Sequence, residues 1–481
     1  MPMSSVARPS VRCSLSRRGW LRQFGGGIAG LALLDLMGRD GLGAAGLPPA
    51  NPLAPKLPHF APKAKAVISL FMSGGVSQVD SFDHKPELTK RHLEAPPESL
   101  DIKTFFPNPG TLLKTPFSFQ RYGQSGLEIS ELFPETGACA DDLAVVRSLH
   151  TVSNNHAPAT LQMMTGNLQP GRPCLGSWSV YGLGSENQNL PAFVVLLDKT
   201  GGPIGGPQNW SAGFIPGVYQ GTPFSNQGDP LLDLSPPEFV SNEHQRRRLD
   251  FIQSMNRIHL EGNRNEEALA ARMASYELAF RMQSSAPEAV DLNKESEATK
   301  ALYGLEDEVT RHFGRNCLLA RRLVERGVRF VQLFGGANAA DSWDAHQKLE
   351  ENHRRRAKAV DKPIRGLLKD LKTHGLLDST LVVFHTEFGR LPISQSIDGR
   401  DHSPHGFSCW LAGGGTRGGQ VIGATDEFGY KPLEDPFSVH DLHATILHLL
   451  GLEHTRLTFQ HNGREFRLTD VAGKVIEKAI A

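Results

Sequence analysis

The sequence is poor in cysteine, and its cysteines form no motif. Four of the five lie beyond the N-terminal region, widely spaced and without a CxxC pair: Cys139, Cys174, Cys317 and Cys409. Paired cysteines mark zinc ribbons and thioredoxin-like redox motifs, and dense cysteines mark small disulfide scaffolds. We therefore predict none of these classes and interpret the four as small core residues.

Net charge and long apolar runs are also lacking. The 481 residues carry 51 Lys and Arg against 51 Asp and Glu, and no basic run is interleaved with aromatic residues. Nucleic-acid-binding surfaces need a basic patch, so we predict no nucleic-acid partner. Beyond residue 45 no apolar run is long enough to cross a bilayer, so no transmembrane segment is expected once the signal is removed.

The N-terminus has the organisation of an export signal. A basic region precedes a weakly apolar, Gly-rich stretch over residues 25–36, and small residues follow. Residues 16–21, SRRGWL, resemble the twin-arginine export motif, with Trp where Phe is usual. We predict a signal peptide over 1–45, a linker over 46–65 and a periplasmic or extracellular location. The alternative is a Sec signal or a chance arginine pair.

Six apolar runs of strand length follow. A continuous apolar run of this length favours a strand that is buried on both faces. The runs are AVISLFM (66–72), LAVVRSL (143–149), PAFVVLL (191–197), VRFVQLF (328–334), LVVFH (381–385) and FSCWL (407–411).

Helical patterns between these runs set the fold class. A helix is predicted over 306–325, and a second one, through 360–371, connects the strand at 328–334 to that at 381–385. A strand, helix, strand unit implies a parallel pair with a right-handed crossover. We predict one α/β domain over 66–481, with a doubly wound, mostly parallel sheet flanked by helices.

Three further segments complete this prediction. The charged, helix-prone stretch 243–285 is interpreted as a helical excursion that Gly262 divides, and the Gly- and Pro-rich stretch 201–236 as an irregular loop. A final helix is predicted over 440–450, where His443 is more readily a structural histidine than a ligand.

Ligand-type residues follow the ends of four predicted strands. Asp80 follows the first strand, His156 the second, Asp344 and His346 the strand at 328–334, and Glu387 the strand at 381–385. Ligands of open α/β sheets gather beyond the carboxyl ends of the strands. Any one of these residues could be a cap or a turn former, but together they predict a metal or anion site at this edge.

The loop after Glu387 carries further polar candidates. Arg390 is a candidate anion clamp or a structural ion-pair partner. The same loop also holds Asp401, His402 and His405.

Five motifs together resemble a known family. They are SGGVSQVDSFDHKPEL, WDAH, LLDSTLVVFHTEFGR, DGRDHSPHGFSCWLAGG and HDLHATILHLLGL. They are similar to the exported domain-of-unknown-function family numbered fifteen hundred and one, which is grouped with sulfatases in the alkaline phosphatase superfamily. The resemblance implies an alkaline-phosphatase/sulfatase-like doubly wound sheet with a site for one or two divalent metals.

The resemblance extends to individual ligands. WDAH resembles the superfamily loop that supplies Asp and His ligands, which implies Asp344 and His346. HTEFG resembles the strand-end SDHG, so Glu387 stands for the metal Asp, and Phe388 replaces a His. His385, His402 or Asp401 would then have to supply the missing ligand. The resemblance also places His405 at the position of the superfamily's late histidine ligand. It places the superfamily's first-strand Asp near Ser73, so Asp80 would have to extend back toward that position to serve as the ligand.

The nucleophile segment departs from the superfamily pattern. TVSNNHAPATLQMMTG resembles the sulfatase segment in which Cys-x-Pro-Ser-Arg leads to Leu-Thr-Gly, and His156 stands at the position of the cysteine. His156 is then a metal ligand, a general acid/base or a phosphohistidine nucleophile. Nearby hydroxyl candidates are Thr151, Ser153 and Thr160.

The resulting hypothesis is an exported metal-dependent hydrolase of small-molecule or glycan esters of phosphate or sulfate. His156 and Arg390 are the catalytic candidates. The ligand candidates for one or two ions of zinc or manganese are Asp80, Asp344, His346, Glu387, His402 and His405. The alternative is a non-catalytic sulfatase-like binding or assembly protein at the cell surface, which the histidine at the nucleophile position favours.

Overall fold

A computed structural model of the protein describes residues 51–105, 110–225, 231, 240–262, 267–337 and 341–481. The predicted signal peptide, and the predicted linker up to residue 50, lie outside these residues. Residues 51–481 group into one compact unit. No helix in the described part of the chain combines the length and the apolarity that a membrane crossing needs.

The strands are numbered in chain order. They are β1 (Ala66–Phe71), β2 (Phe119–Tyr122), β3 (Leu127–Ser130), β4 (Leu143–His150), β5 (Phe193–Leu196), β6 (Thr222–Phe224), β7 (Phe330–Phe334), β8 (Thr380–His385), β9 (Gly389–Arg390), β10 (His402–Ser403), β11 (Phe407–Ala412), β12 (Gln420–Ile422), β13 (Ala424–Thr425), β14 (Pro432–Glu434), β15 (Phe437–Ser438), β16 (Phe459–His461) and β17 (Arg464–Phe466).

The α-helices are numbered in the same way. They are α1 (Pro86–Lys90), α2 (Pro134–Gly137), α3 (His156–Thr165), α4 (Leu175–Leu183), α5 (Asn242–Gly262), α6 (Glu267–Val290), α7 (Glu297–Leu302), α8 (Glu308–Glu325), α9 (Leu349–Thr373) and α10 (Val439–Leu449).

The central sheet is mixed but mostly parallel. Its order is β12-β4-β11-β8-β1-β7-β5-β6, with β15 also paired to β4. Strand β11 runs antiparallel to both β4 and β8, and the other pairings of this sheet are parallel. The predicted doubly wound, mostly parallel fold is thereby confirmed. The carboxyl ends of β1, β4, β7 and β8 open on one edge, and the reversed direction of β11 brings the chain before Phe407 to that edge as well.

Each face of the sheet carries its own hydrophobic core. Successive side chains of a strand point to opposite faces. Ile68 and Leu70 of β1 pack into the core that includes α8 and α9, and Val67 and Phe71 pack into the core of α3, α4 and α10. The strand is therefore apolar at nearly every position, which is the pattern expected of a parallel strand covered on both sides.

The structure extends two of the predicted elements. Helix α9 begins at Leu349, eleven residues before the apolar pattern at Val360, and its earlier turns bury His353, Arg356 and Ala357. The stretch predicted as an irregular loop contains β6, which adds to the sheet edge beside β5.

Acid should weaken this fold through His443. This histidine is buried on α10, its Nε2 lies 2.8 Å from the carbonyl oxygen of Met163, and burial lowers its pKa to about 3. The unfolded chain binds more protons below the ordinary histidine pKa of about 6.5, so stability falls as the pH falls through this range. His443→Gln should reduce the loss of unfolding free energy between pH 7 and pH 5 by about 2 kcal/mol. Urea unfolding at both pH values measures this difference. The exposed His244→Gln is the control, and an undiminished loss in His443→Gln would contradict the assignment.

Candidate metal centre

Three connections, which follow β4, β7 and β8, deliver side chains to one point at the carboxyl edge of the sheet. His156 is the first residue of α3, just after β4. The side chain of Asn155 caps this helix by accepting a hydrogen bond from the N–H of Ala157. Asp344 and His346 lie in the loop between β7 and α9, and Glu387 follows β8. His402 arrives from β10, which pairs with β9 in the register His402 to Arg390. His156, Asp344, His346 and Glu387 were predicted from their strand-end positions, and His402 as one of three substitutes for a missing histidine.

The carboxylate of Asp344 is the centre of the cluster. Its Oδ1 lies 3.1 Å from His346 Nε2 and 3.3 Å from His402 Nε2, and its Oδ2 lies 3.3 Å from His156 Nε2. Arg390 Nη2 lies 2.7 Å from Oδ1. Three imidazoles thus present the same ring nitrogen to one carboxylate.

The other ring nitrogen of each histidine meets an oxygen. His156 Nδ1 lies 2.7 Å from Glu387 Oε1, and His402 Nδ1 lies 2.7 Å from the carbonyl oxygen of Asn154. His346 Nδ1 contacts Gln395 Oε1. An oxygen acceptor holds the proton on Nδ1 and leaves the lone pair on Nε2, which is the arrangement of histidines that bind metals.

This donor set fits a divalent cation. Three Nε2 lone pairs and a carboxylate converge, and the buried Nε2 of His156 faces Asp344 Oδ2 at 3.3 Å. Among the described residues, donor atoms lie within 4.8 Å of one another in two groups, His156 with Asp344 and His402, and His346 with Asp401 and His402. Both groups need His402, whose Nδ1 is engaged by Asn154, so the geometry favours one ion over two. Mixed imidazole and carboxylate donors suit zinc, manganese or iron better than calcium.

Neighbouring charges, hydrogen bonds and burial together set the pKa values of the two carboxylates. Burial opposes ionisation of Asp344, but hydrogen bonds to His156, His346 and His402 hold its pKa well below its usual range. Burial likewise opposes ionisation of Glu387, and the contacts with His156 and Gly74 lower its pKa overall. Without a cation, burial works against protonation of His156, yet Asp344 and Glu387 raise its pKa to about 9. The cluster therefore keeps a positive charge at the position where an ion would sit.

Comparison with a family model identifies the chain. Residues 64–480 match the family described as "Protein of unknown function (DUF1501)". The chain belongs to the DUF1501 family, as the sequence motifs predicted. A comparison with curated proteins returned no significant match.

Solved structures give only distant likenesses to this DUF1501 protein. A sulfatase from Pseudoalteromonas sp. is 13% identical with a TM-score of 0.33, covering 88% of this chain and 71% of that chain. An alkaline phosphatase superfamily protein from Vibrio parahaemolyticus is 11% identical with a TM-score of 0.32, covering 91% and 79%. Phosphonate monoester hydrolase of Agrobacterium radiobacter is 12% identical with a TM-score of 0.33, covering 82% and 74%. Similarity at this level supports no inference about activity.

In this DUF1501 protein Arg390 is buried and fully engaged. Its Nε donates to the carbonyl oxygen of Gly75 at 2.9 Å, its Nη1 to that of Arg400 at 3.1 Å, and its Nη2 to Asp344. The geometry therefore favours the ion-pair alternative, in which Arg390 positions Asp344, over an anion clamp.

Two predicted ligands lie outside the cluster. Both carboxylate oxygens of Asp80 contact Arg400, at 2.7 and 3.2 Å, and Ser77 donates a further hydrogen bond. His405 packs edge-on against Tyr430, with ring centroids 5.0 Å apart. Of the residues expected to substitute for the histidine that Phe388 replaces, His385 lies in the core, with its Nε2 2.6 Å from Ser69 Oγ. His402 is the imidazole that reaches Asp344.

A glycine beside Asp344 was not predicted to belong to the site. The N–H of Gly74 donates to Glu387 Oε1 at 2.7 Å, and Gly74 has φ of +111°. A Cβ at this position would lie 2.6 Å from the backbone nitrogens of Trp343 and Asp344. Only glycine fits both the backbone conformation and the close approach. The Gly-Gly pair after a buried strand was the available sequence signal.

Proposed function

We propose that this protein is an exported metal-dependent hydrolase of phosphate or sulfate esters of small molecules or glycans. One observation carries the proposal, namely that His156, His346 and His402 each turn Nε2 to Asp344 while an oxygen fixes Nδ1. A core histidine needs no such convergence, whereas a catalytic metal site does.

The cluster divides into residues that would bind the ion and residues that orient them. Nε2 of the three histidines and the carboxylate of Asp344 would hold one zinc or manganese ion, and Glu387 would orient His156 rather than bind the metal. A bound ion would supply Lewis acidity to the ester and a lowered pKa to its attacking water. Arg390 holds Asp344 in place.

The non-catalytic alternative has support from the same cluster. His156 occupies the position of the sulfatase nucleophile, and both of its nitrogens face carboxylates. Two hydroxyls near it are engaged elsewhere, because Thr151 bonds Gln162 at 2.7 Å and Ser153 bonds the carbonyl oxygen of Asn155 at 3.4 Å. A chain that keeps the metal without a nucleophile would act as a binding or assembly protein at the cell surface.

Metal analysis and a substrate screen test the proposal. Protein purified without chelators should contain about one zinc, manganese or iron ion per chain. It should hydrolyse at least one of an aryl phosphate, an aryl phosphodiester and an aryl sulfate, and lose that activity on metal removal. Metal without turnover of any ester would favour the binding protein, and absence of metal would contradict both roles of the cluster.

Substitution of Glu387 tests its orienting role. Glu387→Gln keeps the size of the side chain but removes the charge that fixes His156 Nδ1. Loss of such an orienting contact should weaken metal affinity about 10- to 100-fold without abolishing binding. Titration with zinc against a competing chelator measures the affinity, and the exposed Glu465→Gln is the control. Complete loss of metal would instead make Glu387 a direct ligand.

Export is supported by the twin-arginine-like segment. Joining residues 1–45 to a folded reporter should export the reporter, and replacing Arg17 and Arg18 by Lys should retain it in the cytoplasm. Export that persists in the double variant would favour a Sec signal.

A further inference from the structure

A cavity of about 50 Å³ borders the metal centre. His156 and Glu387 form its cluster side, Ser73 and Thr160 contribute hydroxyl-bearing residues, and Pro203 and Ile204 lie on its wall. Because His156 both lines this cavity and belongs to the cluster, a group bound to an ion at the cluster would extend into it.

With an ion bound through Nε2 of a neutral His156, this cavity has no cationic side chain among its lining residues in the described part of the chain. The two nearby arginines are already neutralised, since Arg390 pairs with Asp344 and Arg400 with Asp80. Two further carboxylates near the site, those of Glu387 and Asp401, carry negative charge. Asp401 accepts a hydrogen bond from the N–H of His402. The two charges of a divalent ion would thus be balanced by these two carboxylates, which leaves no positive charge in excess. Two negative charges on a ligand would be poorly compensated in such a buried site.

Ser73 offers the cavity a neutral hydrogen-bond donor. Its side chain is 4% exposed, and its Oγ has no hydrogen-bond partner. A buried hydroxyl without a partner costs free energy, which a ligand oxygen would recover. The next residue, Gly74, donates its N–H to Glu387, so Ser73 is held beside the His156 and Glu387 pair.

We propose that this cavity binds a singly charged tetrahedral ester, a sulfate monoester or a phosphodiester, in preference to a doubly charged phosphate monoester, and that the Ser73 hydroxyl donates to its oxygen. The inference deepens the proposed function and rests on the same metal centre. It needs no turnover, because the selectivity lies in binding.

Calorimetric titration of the metal-loaded protein tests the selectivity. The probes are methyl sulfate and dimethyl phosphate, each singly charged, and methyl phosphate, which is doubly charged at pH 8 because its second pKa is about 6. At least one singly charged probe should bind about 10-fold or more tightly than methyl phosphate. The tighter of the two distinguishes a sulfate site from a phosphodiester site. Equal or tighter binding of methyl phosphate, or no binding of any probe, would overturn the proposal.

The variant Ser73→Ala separates a ligand-binding hydroxyl from a structural one. It should weaken binding of the preferred probe about 10- to 100-fold, the value of a hydrogen bond to a charged group. The melting temperature of the metal-free variant should not fall, because the hydroxyl has no partner to lose. The control is Ser148→Ala, which removes a buried strand hydroxyl that donates to the carbonyl oxygen of Asp435 at 2.6 Å and should lower the melting temperature. Wild-type probe affinity in Ser73→Ala, or a loss of stability equal to that of Ser148→Ala, would refute the role of Ser73.

Failure of this inference and failure of the proposed hydrolase function give different results. Selective binding of a singly charged probe without hydrolysis of any ester would remove the proposed hydrolase activity and leave this inference standing. Hydrolysis with a preference for aryl phosphate over both the diester and the sulfate would leave the proposed hydrolase activity standing and remove this inference.

Discussion

Asp344→Asn is expected to remove the metal and with it any ester hydrolysis, lowering kcat/KM by about 1,000-fold or more, since metal Lewis acidity contributes several kcal/mol to such reactions. The asparagine keeps the shape of the side chain but not the charge on which three Nε2 atoms converge at 3.1 to 3.3 Å. Metal content after gel filtration and turnover of the best ester in the screen are the measurements.

The same substitution also leaves Arg390 buried without its carboxylate, so folding must be measured in parallel. Asp341→Asn is the matched control, because Asp341 lies in the same loop and pairs with the buried Arg356 at 2.6 Å but does not touch the cluster. Both variants should lose stability, and only Asp344→Asn should lose metal. Equal metal content in the two would contradict Asp344 as a ligand.

Much of the fold could be predicted because its strands are buried on both faces. β1 and β8 lie within one residue of their predicted bounds, since a continuous apolar run of this length favours a strand buried on both faces. β6 was missed because TPF is only three residues long and contains a proline, which sheets tolerate at their edges. The start of α9 was missed because its first turns are charged and bury their residues through ion pairs such as that of Arg356 with Asp341.

The candidate site could be predicted only as a set of residue types. Position after a parallel strand indicated His156, Asp344, His346 and Glu387, but not how they divide into ligands and orienting residues. That division depends on which ring nitrogen meets which oxygen, and Glu387 meets His156 across 231 positions of the chain. No local pattern carries that information.

The sequence also could not show which of His402 and His405 lies at the site. The two residues lie three positions apart in one loop, and the resemblance favoured His405 as a ligand, with His402 as one of three substitutes for the missing histidine. Strand β10 ends at Ser403, and His405 lies in the bend that follows it. Pairing of β10 with β9 turns His402 toward Asp344, and His405 faces Tyr430 instead.

Arg400→Met is expected to cost about 3 to 5 kcal/mol of unfolding free energy, because it leaves the carboxylate of Asp80 buried without an opposite charge. Asp80 and Arg400 are both fully buried, and the charge of Arg400 helps to hold the pKa of Asp80 down although burial opposes it. Arg400 also donates to the carbonyl oxygens of Leu391 and Leu113, so it ties the loop that carries His402 to the body of the domain. Urea unfolding should show the loss, and metal affinity should fall with it.

The double variant Asp80→Leu with Arg400→Met decides between a structural and a ligand role for Asp80. Removing both charges of a buried pair together often costs far less than removing one, so stability should largely return. If the pair only supports the loop, metal affinity should return with stability, because His156, His346, His402 and Asp344 are intact. If Asp80 reaches the metal, the double variant would be stable and still fail to bind zinc. Stability and metal affinity, measured on the same preparation, therefore assign Asp80 whichever way the result falls.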